Sequence, residues 1–169
     1  MSPAAQWTIA IVGAYLLGSI PFGFIIARAK GLDIRQHGSR NIGATNVGRV
    51  LGRRWGMLCF ALDVLKGALA VLLAGWWTGA LGDANPSASL AWLWLAVAGA
   101  AIAGHMFTIF LRFKGGKGVA TGFGALLAMW PHLTVPAIAA LVVWIFTLRF
   151  TRYVSVSSIL AAIILPISV

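Results

Sequence analysis

Six apolar runs separated by short polar links leave this chain few ways to fold: residues 7–29, 55–79, 90–113, 119–130, 133–148 and 154–169. At about 1.5 Å of rise per residue the first would extend roughly 33 Å as a helix, enough to cross a hydrocarbon core. A soluble domain cannot bury that much apolar surface, and a composition of 60% hydrophobic and 9% charged residues agrees with a membrane setting. The expected fold is therefore all-α, a polytopic transmembrane helix bundle of about six segments forming a single domain over residues 1–169.

No basic residue precedes the first run, which is also too long for the apolar region of a cleavable signal, so it reads as a membrane helix. Pro21, in GSIPFG, removes a backbone donor and displaces the carbonyl of Leu17; a kink is expected there. Twelve of the thirteen Lys and Arg residues fall in three links, around 28–54, 112–117 and 149–152, and only Lys66 lies inside a run. The excess of positive charge on cytoplasmic loops then places the N-terminus outside and the three basic links in the cytoplasm. Keeping Arg149 and Arg152 on that side requires run 119–130 to cross as a short, little-tilted segment.

Cys59 is the single cysteine and excludes an intramolecular disulfide. The net charge of +10 does not point to nucleic acid, because the apolar runs leave no soluble basic face. Anionic lipid head groups and phosphorylated small molecules are the expected partners.

Residues 38–52, GSRNIGATNVGRVLG, form a polar, glycine-rich stretch between two apolar runs, with no acidic residue. Arg40 and Arg49 supply fixed positive charge, Ser39, Asn41, Thr45 and Asn46 supply hydrogen-bond donors, and the glycines permit close backbone approach. In RFKGGKG, Lys114 and Lys117 flank Gly115 and Gly116 and are followed by Gly118. Consecutive glycines before a helix can present a nest of N–H groups to a phosphate, although this is not a Walker A motif and a flexible basic turn is the simpler alternative. Asp63 and Lys66 share a helix face at membrane depth, where charges are costly and usually paired; a structural ion pair and a ligand contact both fit, and the two are expected to stand behind the site. His105, shortly before the second basic link, is either a packed histidine or a titratable member of the site. Ser155, Ser157 and Ser158 open the last run as helix caps or phosphate donors.

Taken together, GSIPFG, GSRNIGATNVGRVLG, DVLKG (63–67), Gly104-His105, FKGGKGVAT and RYVSVSS resemble the bacterial acyl-phosphate:glycerol-3-phosphate acyltransferase family of the inner membrane, over essentially the whole chain. The resemblance implies transfer of a fatty acyl group from acyl phosphate to the 1-hydroxyl of glycerol 3-phosphate, giving lysophosphatidic acid and phosphate. It also implies seven membrane segments, the last one and a short basic tail being absent here. Ser39, Arg49, Lys117 and Ser155 fall on the family's phosphate-contacting positions. The expected catalytic group is Ser39, Lys117 and His105. Arg40, Asn41, Thr45, Asn46, Arg49, Lys114, Gly115, Gly116, Gly118 and Ser155 are expected to bind substrate, and Asp63 and Lys66 to stand behind them. Neither cofactor nor metal is expected.

The chemistry is coherent apart from the resemblance. Two phosphorylated reactants repel each other, so joining them needs concentrated positive charge at a low-dielectric site. No histidine has an aspartate five positions later, so the HxxxxD arrangement of acyl-CoA-dependent enzymes is missing, and a substrate phosphate oxygen is the expected proton acceptor. A transporter of organic phosphates would gather basic residues too, but it needs polar groups at a midplane site, and here only Asp63 and Lys66 lie at depth. A lipid-binding structural subunit would not need two phosphate-type loops.

Overall fold

The computed structural model describes residues 1–167, so the last two residues of the sixth apolar run lie outside the described residues. Among the described residues all regular structure is helical: α1 (Pro3–Gly18), α2 (Phe22–Ala29), α3 (Ala44–Leu51), α4 (Arg53–Thr78), α5 (Ala88–Met106), α6 (Val119–Leu127), α7 (Thr134–Thr151) and α8 (Val154–Ile167). Four apolar stretches are long enough to cross a membrane: Pro3–Ala29, which joins α1 and α2, then Arg53–Thr78, Ala88–Leu111 and Thr134–Thr151. Their outward faces carry large apolar side chains such as Leu73, Trp76, Trp92 and Phe146, as lipid contact requires.

The expected kink at Pro21 is a complete interruption between α1 and α2. Proline supplies no N–H, and the freed carbonyls must be satisfied inside an apolar bundle. The Thr108 hydroxyl donates to the Ser19 carbonyl, and Lys66 Nζ donates to the Ile20 carbonyl at 2.7 Å. The break thereby ties the first span to α4 and to the end of α5.

Small residues set the helix spacing. A β-carbon at Gly18 would overlap the Ala101 backbone and one at Gly104 the Tyr15 carbonyl, so α1 and α5 touch backbone to backbone. The same holds for α4 and α6, where a β-carbon at Gly67 would strike the Thr121 carbonyl and one at Gly124 the Val64 carbonyl. Apolar side chains including Trp7, Val71, Trp94, Val97 and Met129 fill the space between these pairs.

The fourth run corrects one expectation. Instead of a helix over residues 119–130, α6 has nine residues, a rise of about 13 Å, less than half of a roughly 30 Å core. The residues around it reach both ends: Gly118 abuts Ile102 and Met106 near the end of α5, whereas Gly82 donates to the Trp130 carbonyl (3.3 Å) beside the α4–α5 link. His132 Nε2 also lies 2.9 Å from the Asp83 carbonyl. The second basic link accordingly folds into the bundle, and α6 starts well inside it.

Candidate active site

Three segments meet around a cavity of about 360 Å³: the loop leading into α3, the loop leading into α6, and the corner between α7 and α8. Ser39, Asn41, Thr45, Asn46, Arg49, Asp63, His105, Lys117, Gly118 and Ser155 all line it. These residues are spread over most of the chain, and the fold brings them to one place.

The first loop is built on Asn46. Its side chain is buried, and its Nδ2 donates to the carbonyls of Asn41 (2.8 Å), His37 (3.0 Å) and, more weakly, Ile34 (3.4 Å). Its Oδ1 accepts from the Ser39 N–H at 2.8 Å, an approach that Gly38 permits with φ +58° and no β-carbon. Asn46 therefore shapes the loop that presents Ser39, which corrects its expected role as a substrate donor. Asn41 Oδ1 accepts from the Gly43 N–H at 2.9 Å and sets the entry to α3. Gly48 then lies against Gly56, and Gly52 at φ +96° turns the chain into α4.

Much of the first link's charge is already committed. Asp33 takes Arg35 at 2.8 Å and Arg28 at 3.2 Å, and both guanidinium groups lie near the Phe24 ring. The Arg35 side-chain hydrogen bond, opposed by burial and reinforced by the Arg35 N–H and by the two positive charges, lowers the Asp33 pKa from 3.8 to about 2. Lys30 sits 4.2 Å above the Trp55 ring. Arg49 faces the cavity, while Arg40 is exposed and outside it, against expectation.

The glycine pair also departs from expectation. The Gly115 N–H donates to the Met106 carbonyl and the Gly116 N–H to the His105 carbonyl, each at 3.0 Å, so neither is free to cradle a phosphate. Positive φ falls instead on Arg112, Phe113 and Gly118. Gly115, Gly116 and Lys114 are absent from the cavity lining, and the pair acts as a splice that docks the loop on α5 and delivers Lys117 to the cavity. A β-carbon at Gly116 would fall on His105 Nε2.

His105 and Asp63 form a His–Asp pair that no local pattern announces. Nδ1 lies 3.5 Å from Asp63 Oδ1, long for a hydrogen bond, and both side chains are buried. Lys66 Nζ lies 2.9 Å from the same oxygen, and Cys59 Sγ is 3.6 Å from Oδ2. Asp63 lines the cavity, whereas Lys66 stands behind it.

At the α7–α8 corner only Ser155 of the three serines reaches the cavity. Ser157 donates to the Tyr153 carbonyl (3.0 Å), and Ser158 accepts from Trp144 Nε1 (3.2 Å). Arg152, Tyr153, Phe60 and Trp144 also line the cavity and were missed from sequence. Arg152 carries a signal, three residues before Ser155 in a basic link, but in sequence its charge points only to membrane orientation. Among the described residues no group of three or more His, Cys, Asp and Glu side chains could hold a metal ion.

These features define a class: a multi-pass helical membrane protein whose basic links line a cavity with Arg49, Lys117 and Arg152. A family model described as glycerol-3-phosphate acyltransferase matches residues 8–169. The chain is 48% identical over 159 residues to the glycerol-3-phosphate acyltransferase of Geotalea daltonii, covering 94% of this chain and 75% of the relative. It is 51% identical over 158 residues to that of Desulforamulus reducens, covering 93% and 72%. Its fold matches the crystal structure of PlsY (YgiH), an integral membrane glycerol 3-phosphate acyltransferase, in the glycerol 3-phosphate form, with TM-score 0.81 and 42% identity over 94% of this chain and 74% of that one. The lysophosphatidic acid form of PlsY matches with TM-score 0.80 and 41% identity, over 94% and 73%. The chain belongs to the glycerol-3-phosphate acyltransferase family.

Proposed function

We propose that this protein transfers a fatty acyl group from acyl phosphate to the 1-hydroxyl of glycerol 3-phosphate, releasing lysophosphatidic acid and inorganic phosphate at the cytoplasmic face of a bacterial inner membrane. The observation that carries this reading is the convergence of Ser39, Arg49, Lys117, Arg152 and Ser155 on one cavity whose only carboxylate among the described residues, Asp63, is already paired with Lys66. Such a cavity suits two phosphorylated reactants. The hydroxyl oxygen attacks the acyl carbonyl, the bond from the carbonyl carbon to the phosphate oxygen breaks, and the electron pair leaves with phosphate. A phosphate oxygen takes the hydroxyl proton, and Ser39 and Lys117 position the reacting groups, because acyl phosphate is activated enough to need no strong acid. His105, with its Nε2 against the Gly116 backbone, holds the Lys117 loop. Residues 1–169 act as one integral-membrane acyltransferase domain, with membrane lipids around it.

The test is an acyl-transfer assay on purified protein with radiolabelled glycerol 3-phosphate and either acyl phosphate or acyl-CoA. Lysophosphatidic acid should form only with acyl phosphate. Turnover with acyl-CoA alone would reject the donor.

A further inference from the structure

Lys66 is among the most deeply buried side chains of the protein, yet it does not line the cavity. Its ammonium bridges two elements: the Ile20 carbonyl at the break before α2 (2.7 Å), which also accepts from the Phe22 N–H (3.1 Å), and Asp63 Oδ1 (2.9 Å). Beyond Asp63 the connections continue to the His105 ring at 3.5 Å, from the His105 carbonyl to the Gly116 N–H at 3.0 Å, and by the chain to Lys117. Among the described residues Asp63 is the one acidic group on the wall of a cavity suited to phosphate dianions. A bare carboxylate there would oppose the ligand at an effective dielectric far below that of water. The ionisable groups facing Asp63 are Cys59 and Lys66 from α4 and His105 from α5, with Lys117 and Arg49 across the cavity.

We propose that Lys66 is a positioning residue for the anion site: it cancels the charge of Asp63 and fixes that carboxylate beside His105, so the wall repels no phosphate and the loop carrying Lys117 stays docked. Nothing else within reach of Asp63 Oδ1 is a lysine or arginine among the described residues. The inference rests on the proposed function for the identity of the anion, glycerol 3-phosphate.

The experiment measures equilibrium binding of glycerol 3-phosphate and of inorganic phosphate, with no acyl donor present, for the parent, Lys66→Met and the double variant Asp63→Asn/Lys66→Met. Steady-state kinetics follow on the same preparations. Lys66→Met exposes the carboxylate and should weaken both ligands roughly ten-fold or more, raising KM more than it lowers kcat. The double variant carries neither charge and should recover binding to within about three-fold of the parent. Parent-like binding by Lys66→Met would overturn the proposal. So would a double variant that fails to fold, or that folds and binds no better than Lys66→Met, since the pair would then be only a structural requirement. Because binding is read without a donor, a protein that binds glycerol 3-phosphate normally but does not use acyl phosphate fails the donor reading and leaves this one standing.

Discussion

Gly116 lies so close to the His105 imidazole that no β-carbon fits between them. The glycine is therefore required by a packed ring, and no bound phosphate is needed to explain it. Gly116→Ala should destabilise the protein by about 1–3 kcal/mol through overpacking. Adding His105→Ala makes room, so thermal unfolding in detergent should show the two changes to be non-additive by about 1 kcal/mol or more. Strictly additive losses would mean that the ring and the glycine are independent.

Asn46 gives a second test. Asn46→Ala removes one acceptor and an amide that serves three loop carbonyls, leaving buried groups unpaired at a cost of about 1–3 kcal/mol. Asn46→Asp keeps the shape and the bond from the Ser39 N–H but loses the donors, so it should also be destabilised. A wild-type Tm for Asn46→Asp would show that the donors are dispensable.

How much of this was legible in the sequence follows from the range of the interactions. The break at Pro21 depends on one residue's missing N–H, and the cavity positions of Ser39, Arg49, Lys117 and Ser155 follow from motifs whose local chemistry suits anions. The pairing of His105 with Asp63 joins two helices and has no local signature. The glycine pair is ambiguous in sequence because consecutive glycines permit both a phosphate nest and a tight backbone splice, and only the His105 and Met106 carbonyls decide between them. Asn46 is ambiguous for a similar reason, since an amide looks the same in sequence whether it faces a ligand or its own loop. The fourth run gives a short α6 because the second basic link folds inward on the end of α5.

Asp33 provides a pH signature. Its carboxylate is favoured by Arg35 and Arg28, so the folded pKa of about 2 lies below the ordinary 3.8. The stability it contributes is fully present above the ordinary value and is lost as pH falls through about 2. Thermal stability between pH 4 and pH 2 should thus fall less steeply in Asp33→Asn than in the parent, with the variant the less stable of the two at neutral pH. Parallel curves would remove Asp33 from the acid response.

Orientation is tested by labelling. In a Cys59→Ala background, single cysteines at Ser39 and at Asn85, both exposed, should react differently with a membrane-impermeant thiol reagent applied to intact cells. Only the cysteine at position 85 should be labelled. Equal labelling would contradict a cytoplasmic site.

Under the proposed function, Arg49 on α3 and Lys117 on the loop before α6 meet at one cavity and stabilise charge during acyl transfer to glycerol 3-phosphate. The most direct measurement is kcat/KM with acyl phosphate and glycerol 3-phosphate for Lys117→Ala and Arg49→Ala, at matched expression and Tm. Removing a charged donor from a dry site should cost about 2–4 kcal/mol, a fall of roughly 30- to 1,000-fold for each variant. Values within a few-fold of the parent for both would place the reaction elsewhere in the molecule.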